Sequence, residues 1–279
     1  RKCKAPQVVG EIIAGLLIGP SVLGLVQQTD FLTGLAEVGV VLLMFSAGLE
    51  TNLKELMRSG PVAFLIACSG VFVPLVGGTL LYMGFYGAAP FGSEKFYTAL
   101  FIGVIMTATS VSITVQSLRE MGKLKGKVGT TILSAAIIDD VIGIIVLTFV
   151  VGFKNPESNP GKVVINTVLF FVMAIVVGII LYKVFKGFDA RYPHTRRIPI
   201  MSLALCFFFA YAAEHYFGIA DITGAYVAGI ILCSIQDSAY IEEKMEISSY
   251  MIFGPVFFAS IGLKTNIDNV NGEILLFSL

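Results

Sequence analysis

The 279-residue chain is 56% hydrophobic and only 14% charged, with zero formal net charge and a mean hydropathy of +0.86. Soluble domains carry about 25% charged residues, so this composition excludes a soluble domain and reads as a polytopic membrane protein. Balanced charge and the lack of a dominant basic tract argue against a nucleic-acid partner.

Apolar stretches of about 20 residues read as spanning helices. In chain order they fall at 6–26, 34–49, 61–86, 96–118, 127–151, 162–183, 198–217, 221–235 and 247–264, with a tenth starting near 273. The stretch at 221–235 is short enough for a tilted or partly re-entrant element. Gly-Pro pairs at 19–20, 60–61 and 254–255 mark helix ends or kinks. The cysteines at Cys3, Cys68, Cys206 and Cys233 show no metal-ligand spacing and read as small apolar residues. No cleavable signal peptide is visible. The chain opens on a basic loop at Arg1 and stops inside the apolar run Ile274 to Leu279, so both ends read as cut.

Basic residues fix the expected sidedness, because cytoplasmic loops are rich in Lys and Arg. Of the 19 basic residues, only Lys95, Lys154, Lys162 and Lys264 fall on the second set of alternating loops. The first set is therefore cytoplasmic: the loop before 6, then those following 49, 118, 183 and 235.

An internal repeat is the next signal. At an offset of 214 residues, Gly10 to Ile18 matches Gly224 to Leu232, and Ser46 to Leu53 matches Ser260 to Ile267. Seven helices separate the starts of the two copies, so the second copy enters from the other side. This is an inverted-topology repeat, a common construction of secondary transporters. The expected layout is a single exchanger domain over 1–279: a first repeat at about 6–151, linker helices at about 162–217 and an incomplete second repeat at about 221–279.

The chemistry concentrates in two neighbouring helices. Asp139 and Asp140 sit near the centre of the apolar run Gly129 to Val151. One Asp at that depth costs about 2.5–3.5 kcal/mol on insertion scales, and neighbouring carboxylates resist ionising together. A cation, a proton or a basic partner must compensate for the pair; a buried acid serving helix packing is the plainer alternative. The preceding helix carries Thr107, Thr109, Ser110, Ser112 and Thr114, five hydroxyls in nine positions. Such hydroxyls satisfy backbone groups freed by a helix break, although a Ser/Thr packing face would look the same. Adjacent helical residues point about 100° apart. Asp140 shares its face with the small residues Ala136 and Gly143, which leave room for an ion, and is the expected direct ligand. Asp139 is expected to pair with a basic residue or to carry the second charge. Glu11, Glu37, Glu50 and Lys264 read as interfacial residues, His194 as a topology anchor, and Glu214, His215 and Asp221 as a solvated corner or entry funnel. Nothing resembles a Ser/His/Asp triad, a phosphate-cradling loop or a zinc site, so no enzyme chemistry is expected.

Val8 to Pro20, Thr107 to Thr114 and Ile138 to Val141, in this order, resemble the bacterial monovalent cation:proton antiporters over essentially the whole chain. The nearest group is the NapA- and NhaA-like Na⁺/H⁺ exchangers with an Asp-Asp motif, related to Kef-type potassium systems. The resemblance implies an all-α multi-pass fold with inverted repeats and a broken helix, in which a core domain rocks against a dimerisation domain. It further implies that Asp140 binds Na⁺ (or Li⁺) and protons in turn, that Thr109 and Ser110 line the ion, and that Asp139 pairs with a core lysine. The Asp-Asp form implies electrogenic exchange, and Kef-type relatives usually carry Gln at the first position. A K⁺/H⁺ antiporter, sodium-coupled uptake of an organic anion, or a non-transporting cation sensor stay as alternatives. The implied setting is a homodimer in the inner cell membrane, with the transported ions, the lipid bilayer and no cofactor as its chemistry. The family's lysine helix and second broken helix would lie after Leu279, so the sequence is expected to be truncated before the last core helices.

Overall fold

The computed structural model describes residues 7–124, 126–154 and 160–265. Cys3, the basic opening and the helix expected from 273 lie outside the described residues. All regular structure among them is helical: α1 (Gln7–Ile18), α2 (Asp30–Leu49), α3 (Leu53–Tyr86), α4 (Glu94–Thr107), α5 (Val111–Glu120), α6 (Lys127–Lys154), α7 (Pro160–Arg191), α8 (Arg197–Phe217), α9 (Asp221–Leu232), α10 (Ser238–Glu246), a π-helical turn (Ile247–Phe253) and α11 (Gly254–Lys264). Seven helical stretches are long and apolar enough to cross a membrane. Helices α1 and α9 have 12 residues each, only about 18 Å at 1.5 Å per residue.

Several boundaries differ from the sequence reading: α3 begins at Leu53 rather than 61 and carries Pro61 inside it, and α7 continues to Arg191 rather than 183. Three further differences have a local reason. The helix expected over 6–26 ends at Ile18: Pro20 cannot continue it, and Gly24 at φ +61° closes the turn. The helix expected over 96–118 is interrupted at Ala108 to Ser110, whose flanking residues are extended (Ala108 ψ 114°, Ser110 ψ 101°). The helix expected over 247–264 begins earlier, at Ser238, and widens into the π turn just before Gly254 and Pro255. Pro255 has no N–H to give, and its ring crowds the carbonyl four residues back, a recognised cause of such distortion.

The helices pack in two groups. Helices α3, α4 and α6 contact one another and carry the acidic pair. Helices α1, α2 and α8 to α11 form the larger group, with α2 at its centre. Every residue from Val41 to Glu50 is buried, as expected of a helix that is apolar on all sides. Helix α7 touches α6 on one side and α8 and α9 on the other, while α5 reaches α1, α2 and α6.

The 214-residue repeat is visible as a swap of partners. Helix α9 has the bounds of α1 displaced by that offset. Helix α1 packs on α11, and α9 packs on α2, so each short helix pairs with the long helix of the other copy. Both crossings use equivalent glycines. A side chain at Gly15 would collide with the Ala259 backbone and one at Gly262 with the backbone of Ile12 and Leu16; Gly229 and Gly48, their repeat mates, face Phe45 and Tyr226 in the same way. Gly39 abuts the carbonyl of Phe253, its own mate, which places the local exchange axis between α2 and the π turn.

Candidate functional site

Asp139 lies 12 residues into α6, and the interruption between α4 and α5 comes 14 residues after Glu94. Both therefore sit near the midpoints of spans of 28 and 27 residues, as expected for groups near the middle of a hydrocarbon core about 30 Å thick. The half-helices meet there with a negative C-terminus on α4 and a positive N-terminus on α5.

The hydroxyl-rich segment divides its labour. Thr107 and Thr114 donate to carbonyls of their own chain segments, Val104 at 2.7 Å and Ser110 at 2.9 Å. Ser110 caps α5, its hydroxyl oxygen accepting from the Ile113 N–H at 3.3 Å. Only Thr109 leaves the helix, donating to Asp139 Oδ2 at 3.0 Å. Asp139 is 7% exposed, and its Oδ1 is buried with no hydrogen-bond partner among the described residues. Asp140 is half-buried, and its carboxylate makes no hydrogen bond within the described structure. Of the four residues singled out in the sequence, the fold thus joins Thr109 to Asp139, leaves Asp140 beside them, and turns Ser110 to capping. The available donors are carboxylate, hydroxyl and interrupted-backbone oxygens, which suit a hard cation.

Two clefts lie elsewhere. One of about 870 Å³ lies between α3, α7 and α9, and another of about 490 Å³ reaches Ser134, Ile137 and Val141 on α6. Both are apolar, and neither is lined by Asp139 or Asp140.

A second ionic arrangement was not singled out in the sequence. Arg119, at the end of α5, contacts Glu50 Oε1 at 2.7 Å and Glu242 at 3.8 Å. Its guanidinium lies 3.6 Å over the Tyr250 ring. Glu50, read above as an interfacial residue, is a buried ion-pair partner at the end of α2. The charge ladder put Glu50, Arg119 and Glu242 on one face, but no local motif says that they meet. Lys264 ends α11 as expected. His194 is held at φ +57° with its N–H donating to Asp237 Oδ2 at 2.7 Å. Asp221 lies within electrostatic reach of Glu214 and Glu37, an acidic corner on the opposite face.

Comparison with known proteins agrees with this architecture. A family described as "Sodium/hydrogen exchanger, transmembrane" matches residues 1–279. The chain is 37% identical over 270 residues to the probable Na⁺/H⁺ antiporter GerT of Bacillus cereus, covering 96% of this chain and 70% of that protein. It is 40% identical over 276 residues to the Na⁺/H⁺-K⁺ antiporter GerN of Bacillus cereus, covering 96% and 68%. The fold matches the solved structure of the sodium proton antiporter MjNhaP1 from Methanocaldococcus jannaschii with a TM-score of 0.67 at 17% identity, over 95% of this chain and 67% of that one. This is a multi-pass membrane transport protein, not an enzyme, and it belongs to the sodium/hydrogen exchanger family.

Proposed function

We propose that this chain exchanges Na⁺ (or Li⁺) for protons across the cell membrane by alternating access, with Asp140 as the carboxylate that cation and proton occupy in turn. The observation that carries this reading is the bond from Thr109, inside the helix interruption, to Asp139. It ties the acid pair to the stretch where the helix is interrupted and the backbone turns extended. Asp139 is fixed by that bond and supplies a second negative charge; Asp140, with no competing bond, is available to a dehydrated cation. Thr109 and Ser110 contribute oxygens from the interruption. Proton and cation compete because both need the same carboxylate oxygens, and the neighbouring acids titrate as one unit.

The cation-loaded pair is closer to neutral, which lets the α3–α4–α6 group cross the barrier against the larger scaffold. The swapped packing of the repeat copies supports an inverted repeat as the basis of the two access states. Net charge moved per cycle is worth about 2.3 kcal/mol per 100 mV, enough for the membrane potential to drive sodium out and contribute to ion homeostasis. The scaffold group is the surface proposed for homodimer formation.

The test is proton flux in proteoliposomes holding the full-length protein, driven by Na⁺, Li⁺ or K⁺. Asp140→Asn is expected to abolish cation-dependent flux, and wild-type flux from that variant would refute the assignment. Flux driven by K⁺ alone would move the reading to potassium exchange.

A further inference from the structure

Asp139 is bonded through only one of its two carboxylate oxygens. Oδ2 accepts from Thr109, whereas Oδ1 is buried and faces α3 at Gly70. A Cβ placed on Gly70 would stand 3.2 Å from Asp139 Oδ1, with no other neighbour within 4 Å. That separation is tight enough to require movement of the carboxylate. Other glycines of α3 behave differently. A Cβ at Gly60, Gly77 or Gly84 would enter open space, and one at Gly78 would meet Met106 and Gly103 of α4. Only at Gly70 does the missing side chain correspond to a charged group of the site. Gly70 is 14 residues into the apolar stretch that starts at Leu56, the same depth as the acid pair and the interruption.

We propose that Gly70 is a positioning residue of the exchange site: its missing side chain lets the Asp139 carboxylate lie against the α3 backbone while Thr109 holds the other oxygen. Asp139 is then clamped between α3 and the interruption, which fixes where the second charge stands relative to Asp140. The inference rests on the exchange reading above and adds a third helix to the site. A methyl group at position 70 displaces the carboxylate or turns it away from Thr109, changing cation affinity rather than only the rate.

The experiment compares Gly70→Ala with Gly77→Ala in the full-length protein. In proteoliposomes, Gly70→Ala is expected to raise the half-saturating Na⁺ concentration about threefold or more, as expected when a charge fixed beside the cation-binding carboxylate is displaced by tenths of an ångström. Gly77→Ala should leave both half-saturation and maximal rate unchanged. In thermal unfolding, Gly70→Ala should lower the melting temperature when Asp139 is present. It should not do so in an Asp139→Ala background, where the opposing oxygen is gone. Wild-type half-saturation in Gly70→Ala, or equal destabilisation in both backgrounds, would overturn the proposal. The melting comparison decides the matter even if Gly70→Ala cannot be reconstituted. Retained exchange in Asp140→Asn would instead defeat the exchange-site reading, and the melting comparison would still report on the contact itself.

Discussion

Thr109 and Arg119 stand ten residues apart and do opposite things for the same interrupted helix. Thr109 satisfies a charge at mid-membrane. Replacing it with Val leaves both oxygens of Asp139 without a hydrogen bond, at a cost of about 1–3 kcal/mol. Thr109→Val is therefore expected to lower the melting temperature and weaken Na⁺-driven flux together; an unchanged pair of values would separate the interruption from the acids. Arg119 anchors the other end of α5 to α2 and α10 through Glu50 and Glu242. Removing one partner of a buried pair strands the other, typically at about 3–5 kcal/mol. With Arg119 partly exposed, the lower end applies to Arg119→Met, and replacing Glu50 with Leu in that background should recover much of the loss. A simple sum of the two single losses in the double variant would mean that the pair is not coupled.

Among the helices, the glycine crossings make the sharpest demands. At Gly48 and Gly229 an added side chain meets backbone atoms of the facing helix, which no rotamer change can relieve. Gly48→Val and Gly229→Val should each prevent recovery of a monodisperse protein in detergent, whereas Gly34→Ala, in open space, should be tolerated. The interrupted helix is held more lightly. Ser110→Ala removes the cap of α5, a loss of about 1 kcal/mol, and should show as faster hydrogen exchange at Ile113 with the rest of the molecule unaffected.

For the molecule as a whole, polar contacts between distant loops check, independently of charge counting, which ends share a face. Arg119 meets Glu50 and Glu242, the Gln7 N–H donates to Glu120 at 2.8 Å, and His194 meets Asp237. All of these join ends that the basic residues assign to the cytoplasm. Ser21 donates to the carbonyl of Thr265, joining two ends assigned to the outer face. A cysteine introduced at Ser93 should accordingly react with a membrane-impermeant maleimide added outside intact cells, and one at Thr195 only after permeabilisation. The reverse pattern would invert the topology.

Read along the chain alone, the residues pointed to the membrane class, the order of the spans, an expected sidedness, the repeat, and the adjacency of a hydroxyl-rich helix to an acid pair. Those are properties of composition, period and charge, which act along the chain or between neighbours and survive without knowing how helices are turned. Packing settled that Asp139, not Asp140, receives the Thr109 hydroxyl, that the Ser110 hydroxyl caps α5, and that Glu50 is an ion-pair partner. It alone set Gly70 against a carboxylate and made each short helix cross the other copy's long one. Such facts depend on the rotation of each helix about its axis and on which faces meet. With adjacent residues about 100° apart, only packing between distant segments fixes that rotation.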